Sequence, residues 1–286
     1  MRFGIHISVG KGLKVAAETA IATTAETFQI FSGNPGAWRV SQYKENDLAA
    51  FRELAAAHHL GPVVLHAPYL VNLASPQDDF HAKSVILVAN ALEKAAQVGR
   101  DSAALAHVGS HRGAGLKAGI QRLVAGLDAA FAQAPAGVRF LFEPETGAGD
   151  EIGARFEELR ELFAAMPDTW RDRVGVCLDT AHLWGAGYDV GTPAGMRHTL
   201  TVFDRLVGLD RLWCVHANDS VKDFGSHTDE HAHPGAGQIG LEPFRALVND
   251  PRVQNVPIIL ELPGETVEES RALLAGMRRL QATSAP

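Results

Sequence analysis

The chain has 286 residues, with 26 Lys and Arg against 33 Asp and Glu for a formal net charge of −7, and with 46% hydrophobic and 21% charged residues. That balance belongs to a globular protein and excludes a disordered or fibrous one. No apolar run approaches the roughly 20 residues that cross a bilayer; the best, Ser84 to Ala89, stops at Asn90, so no membrane partner is expected.

Met1 to Ser8 reads as a short strand rather than a charged segment leading into a long apolar one, so no secretory signal is expected. Short apolar, β-branched runs then recur near residues 3–8, 27–32, 63–67, 103–107, 138–143, 174–179, 212–217 and 257–262. Between them lie segments of helical period rich in Ala, Leu, Glu, Lys and Arg, near 11–21, 46–59, 79–98, 115–132, 154–165, 194–207, 241–248 and 266–281. Eight strands alternating with eight helices predict a (β/α)8 barrel of the α/β class, which occupies roughly 250 residues as one unit; a doubly wound open sheet is the competing architecture. One domain over residues 1–280 with a tail at 281–286 follows, and no linker divides it. Cys177 and Cys214 each sit inside an apolar run and read as buried reduced thiols, which fits the cytoplasm.

The chain carries thirteen histidines. In a (β/α)8 barrel the active site lies at the carboxyl ends of the strands, because the βα loops converge there. Six successive predicted strand ends carry His66, His107, Glu143, Asp179, His216 and Glu261, spaced about one βα unit apart, and strand one carries His6 near its end. A single histidine at such a place is most simply a hydrogen-bonded or rim-exposed ring. Three imidazoles and three carboxylates on one barrel mouth would be poorly solvated and mutually repulsive without cations, so a site for several metals is the economical reading. Nitrogen and oxygen donors without thiolate point to zinc, manganese or iron. His182, three residues after Asp179, and the Asp229-Glu230-His231 segment bring the candidate ligands to nine.

The loops at 32–45 and 218–240 are longer than a barrel needs, and surplus loop length tends to be functional. His58, His59, His81 and His198 fall in helical segments and read as solvent-facing; His111, His227 and His233 read as loop residues or partners of the ligands. The glycines near Gly109, Gly113, Gly235 and Gly237 lack the strand and helix context of a nucleotide loop and read as turns.

The motifs His66-Ala67-Pro68-Tyr69, His107-Val108-Gly109-Ser110-His111, Leu178-Asp179-Thr180-Ala181-His182, His216-Ala217-Asn218-Asp219-Ser220, Asp229-Glu230-His231 and Leu260-Glu261 together resemble endonuclease IV, the zinc-dependent abasic-site endonuclease family, along the whole chain. The resemblance implies three zinc ions per chain, with manganese admissible at one or more sites. His66, His107 and Glu143 would hold the first, Glu143, Asp179, His216 and Glu261 the second, and His182, Asp229 and His231 the third, with Glu143 and Glu261 as catalytic residues. It also implies a monomer that cuts duplex DNA 5′ of an abasic site and leaves a 3′ hydroxyl, with Tyr69, Leu70, Asn34 and Trp38 at the DNA; Lys222 is a further candidate contact. The sequence departs from the family at Gly33, Gly36 and Glu230, where basic side chains are usual, and at Pro144 and Glu145, where Asn and Thr are usual. Two other readings remain: a metal-dependent sugar isomerase or epimerase on a xylose-isomerase-like barrel, which needs one or two metals and leaves His182, Asp229 and His231 idle, and a non-catalytic metal-binding barrel.

Overall fold

In the computed structural model, which describes residues 1–262 and 264–281, the apolar runs become the eight parallel strands of a closed barrel. They are β1 (Phe3–His6), β2 (Thr27–Phe31), β3 (Val63–His66), β4 (Ala103–His107), β5 (Arg139–Glu143), β6 (Val174–Asp179), β7 (Leu212–His216) and, after the short strands β8 (Asp219–Ser220) and β9 (His231–Ala232), β10 (Ile258–Leu260). Neighbours run β1 to β7 in chain order, then β10, which closes on β1. The helices are α1 (Leu13–Thr23), α2 (Glu45–Ala57), α3 (Asp78–Val98), α4 (Leu116–Phe131), α5 (Phe156–Ala164), α6 (Thr180–Gly185), α7 (Pro193–Leu206), α8 (Leu241–Val248) and α9 (Val267–Leu280). Their limits follow local chemistry: Thr266 and Glu269 form a capping box that starts α9, and Thr192 caps α7 with Pro193 in its first turn.

Side chains alternate across a strand, so the barrel has two apolar regions. Outward-facing residues such as Phe28, Leu65, Phe140 and Phe142 join the helices in the main core. Inward-facing Val64, Ala103, Leu105, Leu141, Cys177, Cys214 and Ile259 fill the barrel itself, and both cysteines are buried and unbridged. Two residues beyond six of these plug residues stand His66, His107, Glu143, Asp179, His216 and Glu261. The same period of two that packs the barrel therefore lifts each of these six side chains onto the plug's upper surface. Register aligns them sideways as well: His107 is opposite Glu143, and Asp179 is opposite His216.

The structure corrects the sequence reading in several places. α6 and the β8–β9 pair were not expected; each is too short to show a period. β10 ends at Leu260, so Glu261 lies one residue past its strand. His81 is half-buried on α3 with Nε2 against the Arg122 carbonyl at 2.9 Å, rather than facing solvent. His59 falls beyond α2, in left-handed backbone at φ 53°. Of the expected tail, only Gln281 is among the described residues, where it ends α9. No described helix is long and apolar enough to cross a membrane.

Candidate metal centre

All nine candidate ligands converge at the barrel mouth, in three adjoining groups. The donor atoms of His66, His107 and Glu143 lie within 4.8 Å of one another, as do those of Glu143, Asp179, His216 and Glu261, and those of Asp179, His182 and His231. Glu143 links the first two groups: Oε2 is 3.3 Å from His66 Nε2 and 3.6 Å from His107 Nε2, and Oε1 is 2.7 Å from His216 Nδ1. Asp229 closes the third group, 3.4 Å from His182 Nε2 and 3.0 Å from His231 Nε2.

Local structure explains the three ligands that strand ends do not supply. Asp179 Oδ1 accepts the Ala181 and His182 amides and so caps α6, and one helical turn brings His182 beside Asp179. The β8–β9 pair, with Ser220 opposite His231, folds the long loop back over the mouth and presents Asp229 and His231 two residues apart.

Each of the five histidines has one ring nitrogen committed to an oxygen outside the cluster. His66 Nδ1 donates to the Ala67 carbonyl, His182 Nδ1 to the Pro144 carbonyl at 3.0 Å and His231 Nδ1 to the Glu261 carbonyl at 3.0 Å. His107 Nδ1 faces Glu145 Oε1 at 3.2 Å, and His216 Nε2 faces Gln29 Oε1 at 2.9 Å. A carbonyl can only accept, so one proton belongs on the committed nitrogen; in a charged ring, as in His216 against Glu143, the other nitrogen donates to a carboxylate, and in a neutral ring its lone pair points there instead. That is the outer-shell arrangement that orients metal-ligating histidines. Buried His66 Nε2, Glu143 Oε2 and His231 Nε2 have no hydrogen-bond partner, and all three aim into the cluster. Orphaned atoms of this kind are costly unless something else satisfies them. A divalent cation does so for nitrogen and oxygen at once, and the donor set fits it.

Glu143, Asp229 and Glu261 are held ionised. Burial alone would raise the Glu143 carboxyl, but the charge and hydrogen bond of His216, helped by His66, keep it well below the usual carboxylate range. Burial likewise opposes charge on His107 and His231. The hydrogen bond and charge of Glu145 win at His107, and the Asp179 and Asp229 carboxylates win at His231, so both rings are raised to about 9.

Three residues that take part in this network, Gln29, Asn218 and Glu145, were not picked out as site residues from the sequence. Gln29 Nε2 donates to Glu261 Oε1 at 2.7 Å and also meets His6 Nδ1 at 3.0 Å. Asn218 donates to Asp179 Oδ2 at 2.6 Å and accepts the Glu261 amide at 2.8 Å. Glu145 was visible only as a departure from the family pattern. A lone glutamine inside the apolar run Thr27-Phe28-Gln29-Ile30-Phe31 was the one available signal for Gln29.

The other candidates lie around the rim. Tyr69 is 57% exposed, edge-on to His66 and stacked by His107 with ring centroids 6.0 Å apart. Its amide donates to the Pro35 carbonyl at 3.1 Å, joining the Tyr69–Leu70 turn to loop 32–45. Trp38 packs edge-on against Phe80, and with Tyr69, Leu70, His107, Glu145 and Arg112 it borders a cleft of about 370 Å³. Asn34 is exposed, its side chain turned back to the Gly36 amide. Lys222 is not free: its ammonium is 2.7 Å from Glu230.

A family profile described as a xylose isomerase-like TIM barrel matches residues 18–283. A protein named probable endonuclease 4 from Chloroflexus aggregans is 40% identical over 281 residues, covering 98% of this chain and 97% of the relative. The crystal structure of endonuclease IV from Thermus thermophilus superposes with a TM-score of 0.84 at 39% identity, covering 98% of both chains. A D-tagatose 3-epimerase-like protein superposes with a TM-score of 0.72 at 18% identity over 98% of both chains, a likeness of fold alone.

A histidine takes a metal only as the neutral ring, so loading these groups expels protons. With His107 and His231 raised to about 9, zinc affinity measured by competition with a chromophoric chelator is expected to climb with pH and level off near 9. An affinity that does not change with pH would contradict the protonation assigned to both rings.

Proposed function

We propose that this chain, which belongs to the endonuclease IV family of xylose isomerase-like TIM barrels, hydrolyses the phosphodiester bond 5′ of an abasic site in duplex DNA and leaves a 3′ hydroxyl for repair synthesis. The observation that carries the reading is the set of five histidines, each fixed through one nitrogen and turned with the other toward four carboxylates. A barrel needing one metal has no use for the third group, His182, Asp229 and His231.

His66, His107 and Glu143 would hold one zinc ion, Glu143, Asp179, His216 and Glu261 a second, and His182, Asp229 and His231 a third. Bound there, the ions would lower the pKa of water toward about 7 and offset negative charge on the attacked phosphate and its leaving oxygen. The residues supply the positioning. Glu143 presents one oxygen to each of the first two groups, so a single carboxylate fixes their separation. Glu261 keeps Oε1 on Gln29 and turns Oε2 to His216 at 3.2 Å, which fixes its plane. Tyr69 stands beside His66 and His107 of the first group, and Tyr69 and Leu70 would enter a duplex from which the abasic nucleotide has been turned out. Asn34 and Trp38 continue that surface on the neighbouring loop. Three divalent ions would raise the formal charge of −7 to about −1 and concentrate the gain at the mouth. The protein would act as a monomer in the cytoplasm.

Zinc-loaded protein is expected to cut an end-labelled duplex carrying one abasic-site analogue, on the damaged strand only, and to leave an intact duplex alone. His231→Ala should reduce that incision by more than about a hundredfold, beyond the usual loss from an outer-shell change. A folded, metal-loaded protein that leaves the abasic strand whole would defeat the reading and direct attention to sugar substrates.

The Lys222–Glu230 contact generates a second expectation. An exposed pair of this kind contributes little to stability, but it occupies a cation that could meet a phosphate. Glu230→Gln is expected to tighten duplex binding about threefold at low salt and to steepen the dependence of log Kd on log salt by about 0.9, both read by fluorescence anisotropy. Unchanged affinity and slope would mean that Lys222 does not reach the DNA.

A further inference from the structure

Lys94 is among the most deeply buried side chains of the protein, 1% exposed on the inner face of α3. No ion pair joins Lys94 to a carboxylate among the described residues, and the charge of Glu93, one residue back on the helix, only partly offsets its burial. Burying an ammonium without a paired counter-charge is unfavourable unless its donors are well used. Here they are used on one loop. Nζ donates to the Ser32 carbonyl at 2.5 Å and to Ser41 Oγ at 2.8 Å, and it lies 4.6 Å from the centroid of the Tyr43 ring. Ser32 and Ser41 are the two ends of the loop that carries Asn34 and Trp38, so a single cation joins the loop's departure from β2 to its return toward α2.

The neighbouring turn of α3 strengthens the same closure. Asn90 donates its side-chain amide to the Ser41 carbonyl at 3.2 Å, and Glu93 accepts from the Gln42 side chain at 3.1 Å. Further along, Asp47 accepts the Leu13 and Lys14 amides at 2.7 and 2.9 Å and fixes the start of α2 against α1. Residues 33–40, between these anchors, are mostly exposed. The loop is therefore tightly held at its neck, while its mostly exposed tip makes two contacts, Pro35 with the Tyr69 amide and Trp38 with Phe80. Burial lowers the Lys94 pKa to about 8, in keeping with a charge taken from water, and the ammonium form prevails at neutral pH.

We propose that Lys94 is a positioning residue for DNA engagement: by closing the neck of loop 32–43 it holds Asn34, Trp38 and, through Pro35, the Tyr69 turn in the arrangement that meets the duplex. This rests on the reading of the protein as an abasic-site endonuclease. An ordered loop binds more tightly because less freedom is lost on contact, so removing the clamp should weaken binding and spare the chemistry.

The test compares zinc-loaded wild type with Lys94→Met, which fills the same space without charge and is expected to fold, and with Lys94→Arg, which restores the donors. Lys94→Met should raise KM for abasic duplex about tenfold with kcat and bound zinc within about twofold, and should speed amide hydrogen exchange across residues 32–43. Lys94→Arg should recover most of both effects. A Lys94→Met protein with unchanged exchange and KM would overturn the proposal, as would a loss confined to kcat or bound zinc. The exchange measurement needs no DNA, so the clamp can be tested separately: a wild type that fails to cut abasic DNA would defeat the functional reading, while loop exchange still decides whether Lys94 closes the neck.

Discussion

Four carboxylates and five imidazoles meet in the mouth of a barrel whose floor is apolar, and the rest of the structure is arranged around tolerating them there. Like charges at this separation in a poorly solvated place repel, and the favourable solutions are protons or metal ions. In this geometry, protons shared between imidazoles and carboxylates can do the balancing: Glu143 is ionised against His216, and the raised rings of His107 and His231 face Glu145, Asp179 and Asp229. Divalent ions would replace those protons without moving the ligands far, because each histidine already has its other nitrogen anchored.

The anchoring reaches well beyond the nine candidate ligands. Gln29 ties β2 to His216 of β7 and to Glu261 beyond β10, so strands on different sides of the barrel share one amide group. Asn218 does the same for Asp179 and the Glu261 backbone. Asp219, fully buried, accepts the amides of Ser220, Gly235, Ile239 and Gly240 and so shapes the long loop that delivers Asp229 and His231. The strands set where the ligands stand, and this web of side-chain amides and backbone carbonyls sets which way they face. Outside it, the rim is built differently. Its exposed aromatic side chains are Trp38 and Tyr69, on loops, and Phe80, in the first turn of α3, against which Trp38 packs.

Much of the centre was legible because a strand's period of two makes its last inward residue predictable. His66, His107, Glu143, Asp179 and His216 end β-branched or apolar runs, and the recurrence of ligand types at that position distinguished them from incidental polar residues. Glu261 was legible for the same reason although β10 stops one residue short of it. His182 and the Asp229–His231 pair carried weaker signals, since their placement depends on a six-residue helix and two-residue strands that no period announces. Gln29 and Glu145 were illegible as site residues for a different reason. Their roles come from contacts across the barrel or between successive loops, such as the bond from Gln29 to Glu261, 232 residues apart in the chain. The buried role of Lys94 was hidden in the same way, because in sequence it is an ordinary lysine on an amphipathic helix. His81 misled because a helical position says nothing of which neighbour covers it.

Whether these nine side chains hold three metal ions in one centre is tested most directly by anomalous diffraction from crystals of the zinc-loaded protein. Data collected on both sides of the zinc absorption edge should give three peaks: one among His66, His107 and Glu143, one among Glu143, Asp179, His216 and Glu261, and one among His182, Asp229 and His231. A fully loaded crystal with no peak at the third position, or with its metal elsewhere on the chain, would contradict the account and return His182, Asp229 and His231 to a structural role.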